Sequence, residues 1–493
     1  MNEELVPDKK VNHNKGGKTL VMKFGGTSVG SVNAYQQVFD IVSAASKKWS
    51  RLVVVISAMS GVTDLLLESA DRAVEGDSQS AIASAEQIRA KHFVIADELI
   101  PDPTTRSETK KEIDALLGDF TNLCRAIEIL GEATPRALDA VASLGERMSV
   151  RLLTPVLTTA GIPAEHVDAT RLVITDRQFQ VAHPNYELSR KATAQVLKPI
   201  FSRRKVAVVT GFIGSTSDGI TTTLGRGGSD YSAAILGKII PADDVWIWTD
   251  VDGVMSADPR IVPDARSIPV LSYREISELA YFGAKVLHPK TIRPVIEAGI
   301  GLRVCNTFQP AHPGTRLVDD SPNHVLSDSI PGIDLVKAVT AIRGLKLLTV
   351  EGRGMLGVPG VAARTFTAVA NTGTSVPMIT QASSEQSICF AVPGDSADKV
   401  IQAVKKEFSI ELAGGDIDRI WATDDVTIIT VVGVGMRNTP GIAGRIFTAL
   451  GDNGVNVIAI AQGSSEVSIS LVVDAGDTLP GVRALHSMIV DRK

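Results

Sequence analysis

The sequence predicts an α/β chain: a mainly parallel sheet covered by helices, followed by two copies of a smaller module. Three observations carry that expectation. Apolar strands recur and run into turns rich in glycine, serine and threonine; helical stripes lie between them; and the last third of the chain repeats itself. The 493 residues leave room for about three domains at roughly 150 residues each.

The clearest strands are "TLVMKFGGTS" near the start, "LVVVISAMSGVT" (52–63), "KVAVVTGFIGST" (205–216) and "DVWIWTDVDGV" (244–254). Their apolar, largely β-branched runs are those of strands buried on both faces, as in a parallel sheet under helices. Between them, Ile113, Leu116, Leu117, Phe120, Leu123, Ile127 and Leu130 fall on one stripe at helical spacing. Strand–helix alternation places functional loops at the carboxyl ends of strands. The expected layout is a flexible polar tail over 1–18, the layered domain over 19–310, and a connector rich in Pro, Asp and Ser over 311–340.

Beyond the connector, "GRGMLGVPGVAARTFTAVANTGTSVPMITQASSEQSI" (352–388) aligns without a gap on "GVGMRNTPGIAGRIFTALGDNGVNVIAIAQGSSEVSI" (433–469), with a constant offset of 81 and 19 identities in 37 positions. Two copies of one module are therefore expected, over 341–415 and 424–493. Each reads strand, Pro-Gly turn, helix, Gly turn, strand, Ser-Ser-Glu turn, strand, the start of a ferredoxin-like βαββαβ unit. The G-x-G in "VVGVGMRNTPG" lacks the third glycine of a dinucleotide fingerprint and reads as a structural turn.

Composition removes several classes. The net charge of −5 argues for neither nucleic acid nor an anionic membrane as the main partner, and no apolar run approaches the roughly 18 residues of a membrane span. The N-terminal residues have no apolar signal-peptide core. Cys124, Cys305 and Cys389 are far apart and form no C-x-x-C pair, so neither a zinc site nor a disulfide framework is expected. A reducing cytoplasm suits such a chain.

Four loops could carry chemistry. In "VMKFGGTSVG" Lys23 precedes Gly25 and Gly26, with Thr27 and Ser28 after them. The glycines let backbone N–H groups approach phosphate, and the lysine supplies a point charge; a Gly-Gly pair after a strand is also often a plain turn. In "TTTLGRGGSDYSAA" (221–234) Arg226 lies among glycines, and Ser229 or Asp230 is the expected helix N-cap. "WTDVDGVMSADPR" (248–260) crowds Thr249, Asp250, Asp252, Asp258 and Arg260 at a strand end; it lacks the twelfth-position Glu of a calcium loop. "SLGERMS" (143–149) puts Glu146 at a helix start, where the dipole favours an acid.

Together "KFGGTSVG", "SAMSGVT", "SLGERMS", "TGFIGST", "TTTLGRGGSDYSAA", "IWTDVDGV", "DPR" and "FGAKVLHP" resemble, in order and spacing, the motifs of the aspartate kinase (aspartokinase) family. The resemblance covers nearly the whole chain, because the repeat looks like the paired ACT domains of that family. It implies a three-layer αβα amino-acid-kinase fold, ATP with Mg²⁺ as phosphoryl donor, and phosphorylation of the side-chain carboxylate of L-aspartate. The product would be 4-phospho-L-aspartate, at the head of lysine, threonine and methionine synthesis. A monofunctional member is implied, since no fused homoserine dehydrogenase sequence follows the second repeat.

Carried over by position, the resemblance gives Lys23 to the transferring phosphate, with Phe24, Gly25 and Gly26 contributing to the nucleotide side. Ser57, Thr63, Glu146 and Arg226 would hold aspartate, Arg226 on its α-carboxylate and Glu146 on its ammonium. Asp230 would orient the lysine or metal-bound water; no protein metal site is implied. Thr249, Asp250, Met255, Arg260, Lys285 and Val286 would line the nucleotide. Many relatives have Tyr at the place of Met255, so that contact is softer here. His288 reads as structural. Gln381 and Gln462 match positions that contact the inhibitor in threonine-sensitive members, so threonine is the expected effector, with lysine the alternative. The paired modules are expected to build a homodimer or higher homo-oligomer.

A carboxylate acceptor is already ionised at neutral pH and needs no general base, which agrees with cationic, glycine-rich loops in which histidine does not recur. Two other readings compete: a kinase of glutamate or acetylglutamate, which would lack the tandem repeat, and a non-catalytic amino-acid sensor, which has no need of Lys23, Arg226 and Asp230.

Overall fold

The computed structural model describes residues 18–283, 287, 289–319, 336–381, 386–434, 436, 439–462 and 467–490. The chain divides into two compact units, one of residues 1–254, 269–271 and 287–319, the other of 255–268, 272–286 and 320–493.

The first unit is built on an eight-stranded sheet. Its strands are β1 (Thr19–Phe24), β2 (Arg51–Ile56), β3 (Ala164–Val167), β5 (Val206–Thr210), β8 (Asp244–Thr249), β9 (Val270–Ser272), β10 (Gly301–Asn306) and β11 (Thr315–Val318), in the order β3-β5-β2-β1-β8-β10-β11-β9. The pairings from β3 to β10 are parallel, and β10–β11 is antiparallel. A small sheet joins β4 (Ile174–Thr175), β6 (Ile213–Thr216) and β7 (Thr221–Thr223). The stretch 205–216, expected as a strand running into a glycine- and threonine-rich turn, is instead two strands in two sheets. The break falls at Gly211–Phe212, where Phe212 takes a left-handed φ of 66° that a continuous strand does not allow.

Both faces of the main sheet are covered. Leu20, Met22 and Phe24 with Leu52, Val54 and Ile56 pack into one core with α1 (Val32–Ser46), α2 (Val62–Val74), α3 (Ser80–Leu99), α4 (Pro103–Leu130), α5 (Pro135–Ala142) and α6 (Leu144–Thr159). The alternate residues Val21, Val53 and Val55 are equally buried. They belong to the face on which α8 (Gly228–Ile239) lies against β1, β2 and β8, with α7 (Tyr186–Ser202) packed beside α8. The expected stripe is the buried face of α4, except that Cys124 joins it and Leu130, at the last turn, is 71% exposed.

In the second unit the repeat becomes one continuous antiparallel sheet of six strands. These are β12 (Ala338–Glu351), β13 (Met378–Gln381), β14 (Ser387–Pro393), β15 (Arg419–Val432), β16 (Ala459–Ala461) and β17 (Ser468–Asp474), in the order β13-β14-β12-β15-β17-β16. The central strands pair along their whole length, Ala338 opposite Val432 and Glu351 opposite Arg419. The late half of β12 opens the first module, and the early half of β15 closes it. The late half of β15 opens the second module, whose closing strand is the early half of β12. Each module thereby completes a βαββαβ sheet, the second by taking a strand that precedes the first.

Two helices cover each module: α11 (Val361–Ala370) and α12 (Ala397–Glu407) in the first, α14 (Ile442–Asp452) and α15 (Thr478–Val490) in the second, with the short α13 (Ser409–Gly414) between. The two cores are equivalent at the offset of the repeat: Leu348, Val350, Phe390 and Val392 in one, Ile429, Val431, Leu471 and Val473 in the other. Only the second core also takes in Ala257, Ile261 and Val262.

Those three residues belong to the stretch 255–268, which a linear reading gives to the layered domain. In space it belongs to the second unit. Ser256 Oγ lies 2.9 Å from His486 Nε2, Val339 N–H donates to Ser256 O, and Arg483 Nε donates to Ile261 O at 3.0 Å. The helix α9 (Tyr273–Tyr281), capped by a Ser272–Glu275 box, is anchored likewise. Lys337 meets the buried Glu275 at 3.0 Å, and Ser468 Oγ donates to Glu278 at 2.7 Å. The remaining helix, α10 (Pro289–Ala298), returns to the first unit and packs on α8. Among the described residues no helix is long and apolar enough to cross a membrane.

Two glycine substitutions test this packing with opposite signs. A Cβ at Gly228 would sit 2.5 Å from the Phe212 ring, so Gly228→Ala should cost about 1–3 kcal/mol by overpacking. A Cβ at Gly444 in α14 would meet nothing within 4 Å, so Gly444→Ala should stabilise by up to about 1 kcal/mol. Denaturant midpoints of the two variants check both.

Candidate active site

The alternation of β1 aims Lys23 at α8. Met22 and Phe24 point into the core on the other face, so Lys23 shares its side with Val21. Asp230 stands in the first turn of α8, and Lys23 Nζ lies 2.5 Å from its Oδ1, with the two side chains 11% and 16% exposed. A carboxylate there is also favoured by the positive end of the helix. The expectation that Ser229 or Asp230 caps the helix is corrected: Gly227 is the N-cap, at φ 70°, and the carboxylate of Asp230 is engaged by the lysine.

The Gly-Gly pair after Lys23 has a steric reason. A Cβ at position 25 would come within 3.2 Å of Lys23 Nζ, and one at position 26 within 3.2 Å of Ala58 O. Without side chains the loop closes on its neighbours. Gly25 N–H donates to Trp248 O and Ser60 N–H to Gly26 O, while Ser28 Oγ and Thr307 Oγ1 are 2.7 Å apart.

These loops enclose an open cavity of about 700 Å³, lined by Lys23, Gly26, Ser57, Thr63, Glu146, Arg226 and Asp230. Helices α2 and α8 both begin at glycine N-caps, Gly61 and Gly227, that line the same space. Two helix N-termini of 13 and 12 residues, a lysine and an arginine make the cavity suited to anions. Arg226 is exposed, and among the described residues its side chain has no carboxylate partner.

Glu146, in the first turn of α6, is the counterweight. It is 3% exposed, and its Oε2 has no hydrogen-bond partner among the described residues. Burial pushes its carboxyl up to about 8, against hydrogen bonds from the backbone at Ala58 and at Glu146 itself. Its neighbour Arg147 turns away, donating to Asp168 at 2.7 Å and to Thr221 at 3.2 Å, and so secures the β7 hairpin.

The cavity brings together the phosphate-side and acceptor-side residues expected from the sequence, but not every nucleotide-side residue. Phe24 is fully buried and stacks on Trp248, the ring centroids 6.0 Å apart. Thr249 and Asp250 stand at the end of β8, beside β1 in the first unit, and are joined by a 3.2 Å hydrogen bond. Met255 and Arg260 lie in the second unit. Met255 is in a backbone bridge with Ser267, and Arg260 pairs with Asp258 at 2.6 Å. Lys285, Val286 and His288 lie outside the described residues. Gln381 ends β13 and Gln462 follows β16, both exposed and one repeat length apart.

One cavity residue carried no motif. Asp139 in α5 is 1% exposed and accepts from Gln180 and Thr223. The available signal was an isolated acid in the otherwise apolar run "ALDAVA". Gln180 had none, since its left-handed φ of 68° is imposed by tertiary contacts.

A parallel sheet with a lysine at one strand end, an aspartate at a facing helix N-terminus and a cavity suited to anions defines a class of α/β protein whose anion site is built without a P-loop. Comparison narrows the class. Residues 18–306 match the amino acid kinase family, and residues 348–408 and 429–488 each match the ACT domain. Aspartokinase 2, chloroplastic, of Arabidopsis thaliana is 34% identical over 95% of this chain and 84% of its own length. The bifunctional aspartokinase/homoserine dehydrogenase 2, chloroplastic, of Zea mays is 39% identical over 96% of this chain. The chain spans about half the length of such bifunctional relatives. Among solved structures, E. coli aspartokinase III in complex with aspartate and ADP (R-state) superposes with a TM-score of 0.77 at 30% identity, covering 96% of this chain and 100% of that one. Its complex with lysine and aspartate (T-state) gives 0.75. The chain belongs to the amino acid kinase family, in its aspartokinase branch with tandem ACT domains.

The burial of Glu146 has a pH signature. A carboxyl whose folded pKa is raised contributes stability at low pH that is lost as pH climbs from its unfolded value near 4.5 through about 8. Glu146→Gln, which carries no ionisation cost, should therefore gain relative to wild type between pH 5 and pH 9, by up to about 5 kcal/mol before local relaxation. Denaturation at the two pH values checks the sign.

Proposed function

We propose that the chain transfers the γ-phosphoryl group of ATP to the side-chain carboxylate of L-aspartate, giving 4-phospho-L-aspartate. The observation that carries this reading is the charge layout of one cavity. Lys23 and the N-terminus of α8 are assigned to the phosphate side, and Arg226 and the unpartnered Glu146 oxygen, which line the same cavity, to the carboxylate and ammonium of an α-amino acid. E. coli aspartokinase III, solved with aspartate and ADP, lends the reading direct support.

In this mechanism aspartate docks with its α-carboxylate on Arg226, a bidentate task suited to a guanidinium, and its ammonium on Glu146. The ammonium satisfies the buried Oε2 and draws the carboxyl into its ionised form. Ser57 and Thr63 add hydroxyl donors. The side-chain carboxylate, free and ionised, is presented to the γ-phosphoryl group. Lys23 neutralises the charge on the transferring oxygens, and Asp230 holds its ammonium in place. The chemistry is positioning and charge compensation between two anions. Thr249, Asp250, Met255, Arg260, Lys285 and Val286 are assigned to the nucleotide.

Mg²⁺ would arrive on the nucleotide phosphates and supply further neutralisation of the phosphoryl charge there, with Asp230, whose carboxylate lines the cavity, as the residue to receive it. The ACT modules are assigned an amino-acid effector, threonine, through Gln381 and Gln462, and the working form is assigned as a homodimer or larger homo-oligomer.

Trapping the acyl phosphate as hydroxamate, with aspartate set against glutamate and acetylglutamate, tests the acceptor. Turnover should need aspartate, and its absence in folded protein refutes the activity. Lys23→Ala should lower kcat by about two orders of magnitude or more while leaving effector binding unchanged; a near-normal rate removes the lysine from its role. Gln462→Ala should relieve threonine inhibition more than it alters kcat, and inhibition of the wild type by lysine alone would reverse the effector assignment.

A further inference from the structure

We propose that Asp139 is a positioning residue that locks the root of the Arg226 loop to the helix pair carrying Glu146, so that the two charges of an α-amino acid are met at one spacing. The proposal rests on the amino-acid reading of the cavity given above and adds the element that sets its geometry.

Asp139 uses both oxygens. Gln180 N–H donates to Oδ1 at 3.1 Å and Oδ2 at 3.0 Å, Thr223 N–H donates to Oδ2 at 3.0 Å, and the Thr223 hydroxyl donates to Oδ1 at 2.7 Å. Thr223 is the last residue of β7, three before Arg226. The strand end is closed by Ala182 N–H on Thr223 O and by Leu224 N–H on Phe212 O. Gln180 is held in a left-handed conformation, with its carbonyl oxygen 3.0 Å from where a Cβ would stand on Gly225. The carboxylate therefore sets the distance between the 176–183 loop and the Gly-Arg-Gly-Gly loop.

The other end of the device is the backbone of Asp139. Its carbonyl accepts from Ser143 N–H, and Ser143 O accepts from Arg147 N–H, which carries the chain directly from α5 into the turn of α6 bearing Glu146. Arg226 is exposed, without a carboxylate partner among the described residues, so its side chain is placed by the loop root alone. All three donors to Asp139 are neutral. What the site requires is acceptor geometry, and the charge is uncompensated. An asparagine reproduces that geometry: its oxygen takes the two backbone N–H groups, and its amide donates to the Thr223 hydroxyl, which reverses.

Asp139→Ala should raise the aspartate KM about tenfold or more while the ATP KM stays within about twofold. Asp139→Asn should restore both to within about threefold of wild type. Thr223→Val, which removes one hydroxyl and keeps the backbone, should raise the aspartate KM by about threefold and serves if the alanine variant does not fold. A purely structural role would move both KM values together and lower the denaturation temperature in proportion; that result, or an Asn variant as impaired as the Ala variant, overturns the proposal. Hydrogen exchange of peptides over 221–230, without substrates, separates this proposal from the activity. Faster exchange in Asp139→Ala, or in Thr223→Val where that variant stands in, supports the positioning role even if aspartate proves not to be the acceptor. Unchanged exchange in a protein that turns over aspartate removes it.

Discussion

The ion pair between Lys23 and Asp230 is the joint on which the site depends. It exists because β1 alternates: a buried strand with core on both faces cannot place a lysine in its middle, yet at its last turn but one it can release an ammonium toward a helix N-terminus. The 2.5 Å contact ties the carboxyl end of the central strand to the start of α8. Everything else in the cavity is arranged around that closure. Gly25 clears space for the lysine, Gly26 lets the loop close on Ala58, Gly227 sets the helix start in a left-handed turn, and Gly228 lets the helix end settle against Phe212. Moving any of these shifts the lysine relative to the anions it would meet.

The cavity solves an electrostatic difficulty by distribution. In the proposed reaction two anions must approach, and the cavity offers Lys23, Arg226 and helix N–H groups to them while the buried Glu146 is left for the amino group. That acid is costly when alone, as the upward shift of Glu146 indicates, and its cost is offset when an ammonium arrives. Selectivity for an α-amino acid then follows from an unsatisfied group, because a ligand lacking the ammonium would leave Glu146 buried and unpaired. The carboxylate of Asp139 is of the other kind, permanently satisfied by neutral donors, and it acts on distance more than on charge.

Much of this was legible in the sequence because its causes are local. Lysine before paired glycines, Arg226 among glycines and the repeat at constant offset are short-range patterns with direct structural meaning. Burial by period gave the face of α4 and the strands of the main sheet. What escaped depends on residues distant in the chain. The strand over 205–216 breaks at Phe212 because the second half pairs with β4 and β7. Asp230 does not take the capping role its local context suggests because the helix already begins at Gly228, which leaves the aspartate inside the first turn, where it meets Lys23 from two hundred positions earlier. Asp139 reads as one acid on an apolar helix until Gln180 and Thr223 are brought to it. Stretches 255–268 and 272–283 read as continuations of the layered domain, because nothing in their own composition says that His486, Val339 and Ser468 will bind them.

That last displacement gives the repeat its asymmetry. Two modules with equivalent cores share their two central strands, but only the second has to take a strand that precedes the first. The symmetry ends where chain from the layered domain's sequence enters. Ala257, Ile261 and Val262 extend the core of the second module only, and α9 is pinned by Lys337 at the entry to β12 and by Ser468 at the start of β17. Ser468 follows the Ser-Ser-Glu sequence of the second repeat, and Lys337 leads into the strand that completes the second module. The first module has neither connection, since its corresponding position is Asp418, which pairs with Arg353 inside the module. Sequence identity between the copies therefore conceals a division of labour. One module closes on itself, whereas the other is built partly from chain that leads, through residues 250–254, straight into β8 beside Lys23.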